Sequence, residues 1–252
     1  MPPARAPTIS AVVTGLVAFS FLSGQLWADV HYTIPPPHRV VVAVNRDMST
    51  FDPLRLSREV DVLAASTAYE TLVQPGAGGL FRGGLAESWT LSPDGRRFTF
   101  RLRRGVIFHD RTRLDAATIA SNAMRGMREA VPPYDIITSV RATSDSQLEI
   151  STARAFPAIL AELAGPSAFI ASSATLRDPS ALSRQPFGTG PFKYKQRAIG
   201  EYMSLERFNE YRAGTARING IVFLVAPDAS ARAQFLREGR ANALRSLSCA
   251  KT

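Results

Sequence analysis

The chain has 252 residues, enough for one large domain or two small ones around a sizeable core. Hydrophobic residues make up 45% and charged residues 20%, which excludes a chain that is disordered throughout. The net charge of +9 invites a nucleic-acid reading, but the arginines are scattered and form neither a basic helix nor an aromatic-basic platform.

At the amino terminus Arg5 precedes the apolar run Ile9–Leu22, which is too short to cross a bilayer comfortably. SGQLWA follows at Ser23–Ala28, with Leu26 and Ala28 at the −3 and −1 positions of a cleavage site. Residues 1–28 therefore read as a cleavable signal peptide, and a periplasmic location is expected. No cysteine follows the apolar run, so no lipid anchor is expected there. The single cysteine, Cys249, allows no intrachain disulfide. Residues 29–37 hold Pro35-Pro36-Pro37 and read as a stiff linker.

The short apolar run Val40–Val44 predicts a buried strand. Asp52-Pro53 marks a turn, because proline fixes φ and the aspartate can bond its own backbone. Glu59–Leu72 carries Val60, Leu63, Ala64, Ala68 and Leu72 at helical spacing, and Gly76–Gly84 reads as a loop. Ser92-Pro93-Asp94-Gly95 suits a type I turn between two strands, the second of which, Phe98–Leu102, alternates with period two. The basic run Arg96–Arg104 then reads as the solvated face of that strand. Asp115 is placed to cap a helix over Ala116–Met127, and Gln147–Ile150 reads as a strand. Pro157–Leu163 predicts a short helix with proline in its first turn. Strands follow at Phe192–Lys195, Tyr202–Glu206 and Ile221–Val225. Asp228 should cap a helix over Ala229–Arg237 that ends at Gly239, and Ala241–Leu247 should be a further strand.

Two local patterns invite catalytic or phosphate readings. Gly188-Thr189-Gly190 lacks the third glycine and the following helix of a dinucleotide cradle, so it reads as a tight turn. His109-Asp110 has no further histidine within the predicted fold to complete a metal site. No G-x-S-x-G elbow is present either, so His109 reads as structural, pinning the turn after its strand.

Three segments carry a family resemblance: Leu85–Ala117 (LAESWTLSPDGRRFTFRLRRGVIFHDRTRLDAA), Pro186–Lys193 (PFGTGPFK) and Glu206–Glu238. In this order they resemble the extracellular solute-binding proteins of family 5, which serve ABC importers of oligopeptides, dipeptides or nickel. The resemblance runs from about Arg39 to Ala243. It implies an α/β fold like the first lobe of a type II periplasmic binding protein, with the opposite lobe missing. Residues 38–75 and 178–252 would form the core of that lobe and 76–177 an inserted domain. Capture of a peptide-like solute and delivery to the ABC permease subunits of the inner membrane are implied, in a truncated and binding-impaired form. No cofactor, no metal, no nucleic acid and no catalysis are expected. By position in the family, Ser57, Arg58 and Glu59 would face the solute; the alternative is that they are only the solvated start of a helix. Three departures stand out: Arg111 and Arg113 replace the glycine and proline of the family's HDGTP, and Arg212 replaces the tryptophan of its DYW. If the glycine has positive φ, Arg111 is strained by about 1 kcal/mol or more. Two other readings remain: a basic periplasmic interaction protein, resting on charge, and a hydrolase using His109 and Asp110.

Overall fold

The computed structural model describes residues 38–245. The expected signal peptide, the linker and Cys249 lie outside the described residues.

The first strand, β1 (Arg39–Val44), is a run of valines and alanine with both faces largely covered. Such continuous apolar runs suit the inside of a parallel arrangement. It is followed by a 3-10 turn at Pro53–Arg55, helix α1 (Glu59–Ala68), the hairpin β2 (Val73–Pro75) and β3 (Phe81–Gly83), and then β4 (Ala86–Leu91) and β5 (Arg97–Leu102). Helix α2 (Ala116–Arg128) leads to β6 (Ile137–Ser144) and β7 (Gln147–Thr152). Three short helices, α3 (Ile159–Leu163), α4 (Ser173–Arg177) and α5 (Pro179–Arg184), precede β8 (Phe192–Ala198) and β9 (Tyr202–Arg207). The described chain closes with β10 (Gly220–Val225), α6 (Ala229–Arg237) and the two-residue β11 (Ala243–Leu244).

Two sheets organise these elements. In the five-stranded sheet, ordered β11-β1-β10-β9-β8, β1 runs parallel to both β10 and β11, while β10, β9 and β8 are antiparallel. The four-stranded sheet, β4-β5-β7-β6, is antiparallel throughout. Each sheet has its own apolar cluster. Phe98, Phe100, Leu102, Ile119, Leu148 and Ile150 belong to the cluster of the four-stranded sheet. Phe51, Val60, Tyr69, Leu205 and Phe223 belong to the other.

Local signals decide much of this. Phe98, Phe100 and Leu102 are buried while Arg97 and Arg101 are exposed, as period two requires. Asp115 and Asp228 cap α2 and α6, accepting from Thr118 N at 2.7 Å and Ala231 N at 3.0 Å. Gly95 N donates to Ser92 O at 2.9 Å, closing the β4–β5 turn.

Other expectations need correction. The first helix ends at Ala68, short of Leu72, because Tyr69 turns extended and the chain beyond it bonds elsewhere. Ile170 N donates to Glu70 O at 3.0 Å and Leu85 N to Thr71 O at 2.9 Å. The expected loop at 76–84 includes β3, which pairs with β2. The helix expected from Pro157 starts at Ile159. β8 continues past Lys195 to Ala198, since it pairs with β9 along its length. The final strand is only Ala243–Leu244 among the described residues. β2, β6, α4 and α5 add to the expected elements; β6 buries only Ile137 and Val140, so its sequence carries no alternation.

Candidate functional site

Where parallel strands end together, helix amino termini and loop backbone gather at one sheet edge, and open α/β sheets bind ligands there. In this chain Val44 pairs with Val225 and Ala43 with Leu244, so the carboxyl ends of β1, β10 and β11 share one edge. The loop from Asn45 to Glu59 leaves β1 at that edge and leads into α1.

Three carboxylates pin this loop. Asp47 accepts from Arg197 Nη2 at 2.9 Å and from Gly200 N at 2.7 Å, and the same guanidinium also bonds the Met48 carbonyl. Asp61, fully buried in α1, accepts from Ser49 N at 2.7 Å and Ser49 Oγ at 2.5 Å. Asp52 accepts from Leu54 N at 3.1 Å, capping the turn in which Pro53 takes the first position. It also takes two bonds from Arg125 of α2, both 2.7 Å. Of these anchors, Asp52 was legible as a turn residue. Asp47, Asp61, Arg125 and Arg197 carry no local pattern, because their partners are distant in sequence.

The three residues singled out by resemblance come next. Ser57, Arg58 and Glu59 are all exposed, just where the pinned loop enters α1. Arg58 occupies the N-cap position without a side-chain cap bond. Glu59 forms an ion pair with Arg245, the residue that follows β11 and donates its N–H to Ala43 O at 2.9 Å. Glu59 is thereby placed at the carboxyl end of β11. Neither Ser57 nor Arg58 is drawn into that pair.

The other two sequence candidates lie in packing roles. Gly190 N donates to Ala68 O at 2.9 Å, and a Cβ on Gly188 would stand 2.1 Å from that same oxygen. The Gly188-Thr189-Gly190 turn therefore packs its backbone on the end of α1. His109 bonds the same turn: Gly188 O accepts from His109 N at 2.8 Å, and Gly190 O from Nε2 at 2.9 Å. With the proton on Nε2, the buried Nδ1 has no partner. Burial pushes the imidazole pKa below its ordinary value, and the backbone bonds only partly oppose this. Asp110 instead accepts from Thr112 N and Oγ1 at 3.0 and 2.6 Å. Among the described residues, no group of three or more His, Cys, Asp or Glu is arranged to hold a metal.

A buried anion centre was missed from sequence. Glu70 accepts from Arg212 Nη2 at 2.6 Å, Thr189 Oγ1 at 3.0 Å and Tyr211 Oη at 3.3 Å. Arg212, one of the departures noted above, thus neutralises a buried carboxylate. Burial and the Glu70 charge push the Tyr211 hydroxyl pKa up. The second departure, Arg111, has φ +67 and pairs with Glu210 at 2.9 Å.

Residues 81–248 match the family model described as bacterial extracellular solute-binding proteins, family 5 Middle. The glutathione-binding protein GsiB of Escherichia coli (strain K12) is 28% identical over 209 residues, covering 80% of this chain and 41% of that protein. Among solved structures, the ABC transporter-associated periplasmic binding protein DppA from Helicobacter pylori, in complex with peptide STSA, superposes with a TM-score of 0.76. It is 28% identical, with 82% of this chain and 46% of that one covered. The nickel ABC transporter from Bacillus halodurans gives a TM-score of 0.73 at 28% identity, covering 82% of this chain and 42% of its own. The chain spans less than half the length of these relatives.

Proposed function

The chain belongs to the bacterial extracellular solute-binding proteins of family 5, and from that premise we propose that it is the solute-capturing component of an ABC importer for peptides or related solutes. Its fold matches the type II periplasmic binding proteins. In this reading residues 1–28 direct export and are removed, and the periplasmic protein hands solute to permease subunits of the inner membrane. Residues 38–75 and 178–252 act as the core of one lobe, with 76–177 inserted into it.

The observation that carries the reading is the pinned loop at the carboxyl edge of β1, β10 and β11, which presents Ser57, Arg58 and Glu59 to solvent. Carboxylate anchors on either side remove much of the conformational entropy that a contact with solute would otherwise cost. In this reading these residues contribute one wall, and closure of a facing lobe buries the solute. By themselves the 252 residues are then binding-impaired.

Amide chemical shifts test the site without a second wall. Titration with di- to pentapeptides, glutathione included, should shift Asn45–Val60 and the residues after β10 and β11. Shifts confined to other parts of the chain, or none at millimolar peptide, would sink the assignment. The Glu59→Ala chain should show smaller shifts than the parent.

A further inference from the structure

The basic run that reads as a solvated strand face also lines a groove. β5 ends at Leu102, and Gly105 turns the chain with φ +74. Arg101, Arg103 and Arg104 come together there with Arg212, Glu87, Leu102 and Val106 around an open groove of about 380 Å³.

Two of its guanidiniums are held in place before any ligand arrives. Arg103 Nε donates to Gly84 O at 2.8 Å. Gly83 beside it admits no side chain: a Cβ would stand 2.4 Å from Ala86 O and 3.2 Å from Arg103 Nη2. Arg212 gives Nε and Nη2 to Glu70 at 3.2 and 2.6 Å, and its side chain is 20% exposed. Arg101, largely exposed, only forms an ion pair, its Nε 2.5 Å from Glu87 Oε1. Arg104 is exposed and has no ion pair among the described residues. The Nη groups of Arg101 and Arg103, and Nη1 of Arg212, are not consumed by these bonds.

Charge and shape then select the ligand class. Glu87 and Glu70 answer only part of the four guanidiniums, so the groove keeps an excess of positive charge. Guanidinium forks match the oxygen spacing of tetrahedral oxyanions and bind them through paired, charge-assisted hydrogen bonds. Forks already fixed in place lose less entropy on binding. No aromatic side chain lines the groove to stack a base, which disfavours single-stranded nucleic acid. We infer that this groove is a binding site for a phosphate- or sulfate-type oxyanion, either free or as the end group of a larger ligand. It shares no residue with the Asn45–Glu59 loop, so it stands whether or not that loop binds solute.

Thermal unfolding of the full chain in sodium phosphate and sodium sulfate, against sodium chloride at equal ionic strength, is the primary test. A saturable rise in Tm follows if the native state alone binds the anion. A chain carrying both Arg101→Gln and Arg104→Gln, at two exposed positions, should bind about tenfold more weakly or not at all. Arg207→Gln, outside the groove, should respond like the parent. Phosphatidylglycerol vesicles against phosphatidylcholine vesicles separate a lipid phosphate from a free one. Co-sedimentation with the anionic vesicles alone, lost in the double variant, would identify a headgroup. No response beyond chloride from phosphate, sulfate or vesicles would overturn the inference, as would an undiminished response in the double variant.

Discussion

Asp52 and Arg125, 73 residues apart in sequence, meet as a two-pronged ion pair with both N–O distances 2.7 Å. The pair joins the turn that follows β1 to helix α2, whose apolar face packs on the four-stranded sheet. Their side chains are 6% and 16% exposed, so neither charge can recover water if the other is removed. Arg125 also reaches Glu129 at 3.1 Å, and Arg55 closes the cluster against both carboxylates. The loop carrying Ser57, Arg58 and Glu59 is thus positioned partly from the other sheet.

Arg125→Ala should destabilise the fold by about 3 kcal/mol, because it leaves buried Asp52 only the largely exposed Arg55, 3.5 Å away, as a cation. Asp52→Asn, which keeps an oxygen to accept from Leu54 N, should cost less. Urea midpoints of the two variants check the order; an Arg125→Ala midpoint close to the parent's would refute the account.

Arg212→Trp restores the tryptophan of the family's DYW while taking the cation from Glu70. With only Thr189 and Tyr211 left to the carboxylate, a loss of about 3 kcal/mol or more is expected. Adding Glu70→Gln should recover part of it, since the uncompensated charge goes. A double-mutant cycle measures the coupling, and additive effects would count against it.

Arg111 sits at φ +67, where glycine carries no Cβ penalty. Its ion pair with Glu210 is largely exposed at 77% and 38%, and such pairs contribute little. Arg111→Gly should therefore stabilise the fold by up to about 1 kcal/mol. A lower denaturation midpoint would mean that the pair outweighs the strain.

His109 has a folded-state pKa depressed by burial, so the unfolded chain takes the proton first as pH falls. Stability is then full above the unfolded value, near 6.5, and declines as pH drops through the window down to the folded value. His109→Gln removes this term. The drop in Tm between neutral and mildly acidic buffer should be smaller in that variant, and equal drops would dismiss the histidine as the cause.

The 252 residues as they stand should bind peptides weakly. If one wall supplies about half the free energy of a micromolar site, affinity falls to about millimolar. Isothermal titration with mixed di- to pentapeptides at micromolar protein should show no measurable heat. A micromolar dissociation constant would contradict the one-wall reading.

What the sequence by itself determined is the set of features written within a few residues. Asp52, Asp115 and Asp228 announce helix or turn starts because a short carboxylate bonds backbone N–H groups two or three positions ahead. Phe98, Phe100 and Leu102 announce a strand because side chains alternate across it. The order of matched segments carried the family. Tertiary structure alone decided where long-range partners override local preference. The first helix stops at Ala68, where Tyr69 turns extended and Gly190 takes the Ala68 carbonyl, and Glu70 tolerates burial because Thr189, Tyr211 and Arg212 arrive from far along the chain. Glu59 stands at the carboxyl end of β11 because β1 pairs in parallel with β11 and so brings Arg245 to it. Local patterns carry no information about which distant strand or guanidinium will meet a given residue, since those contacts depend on how the whole chain closes.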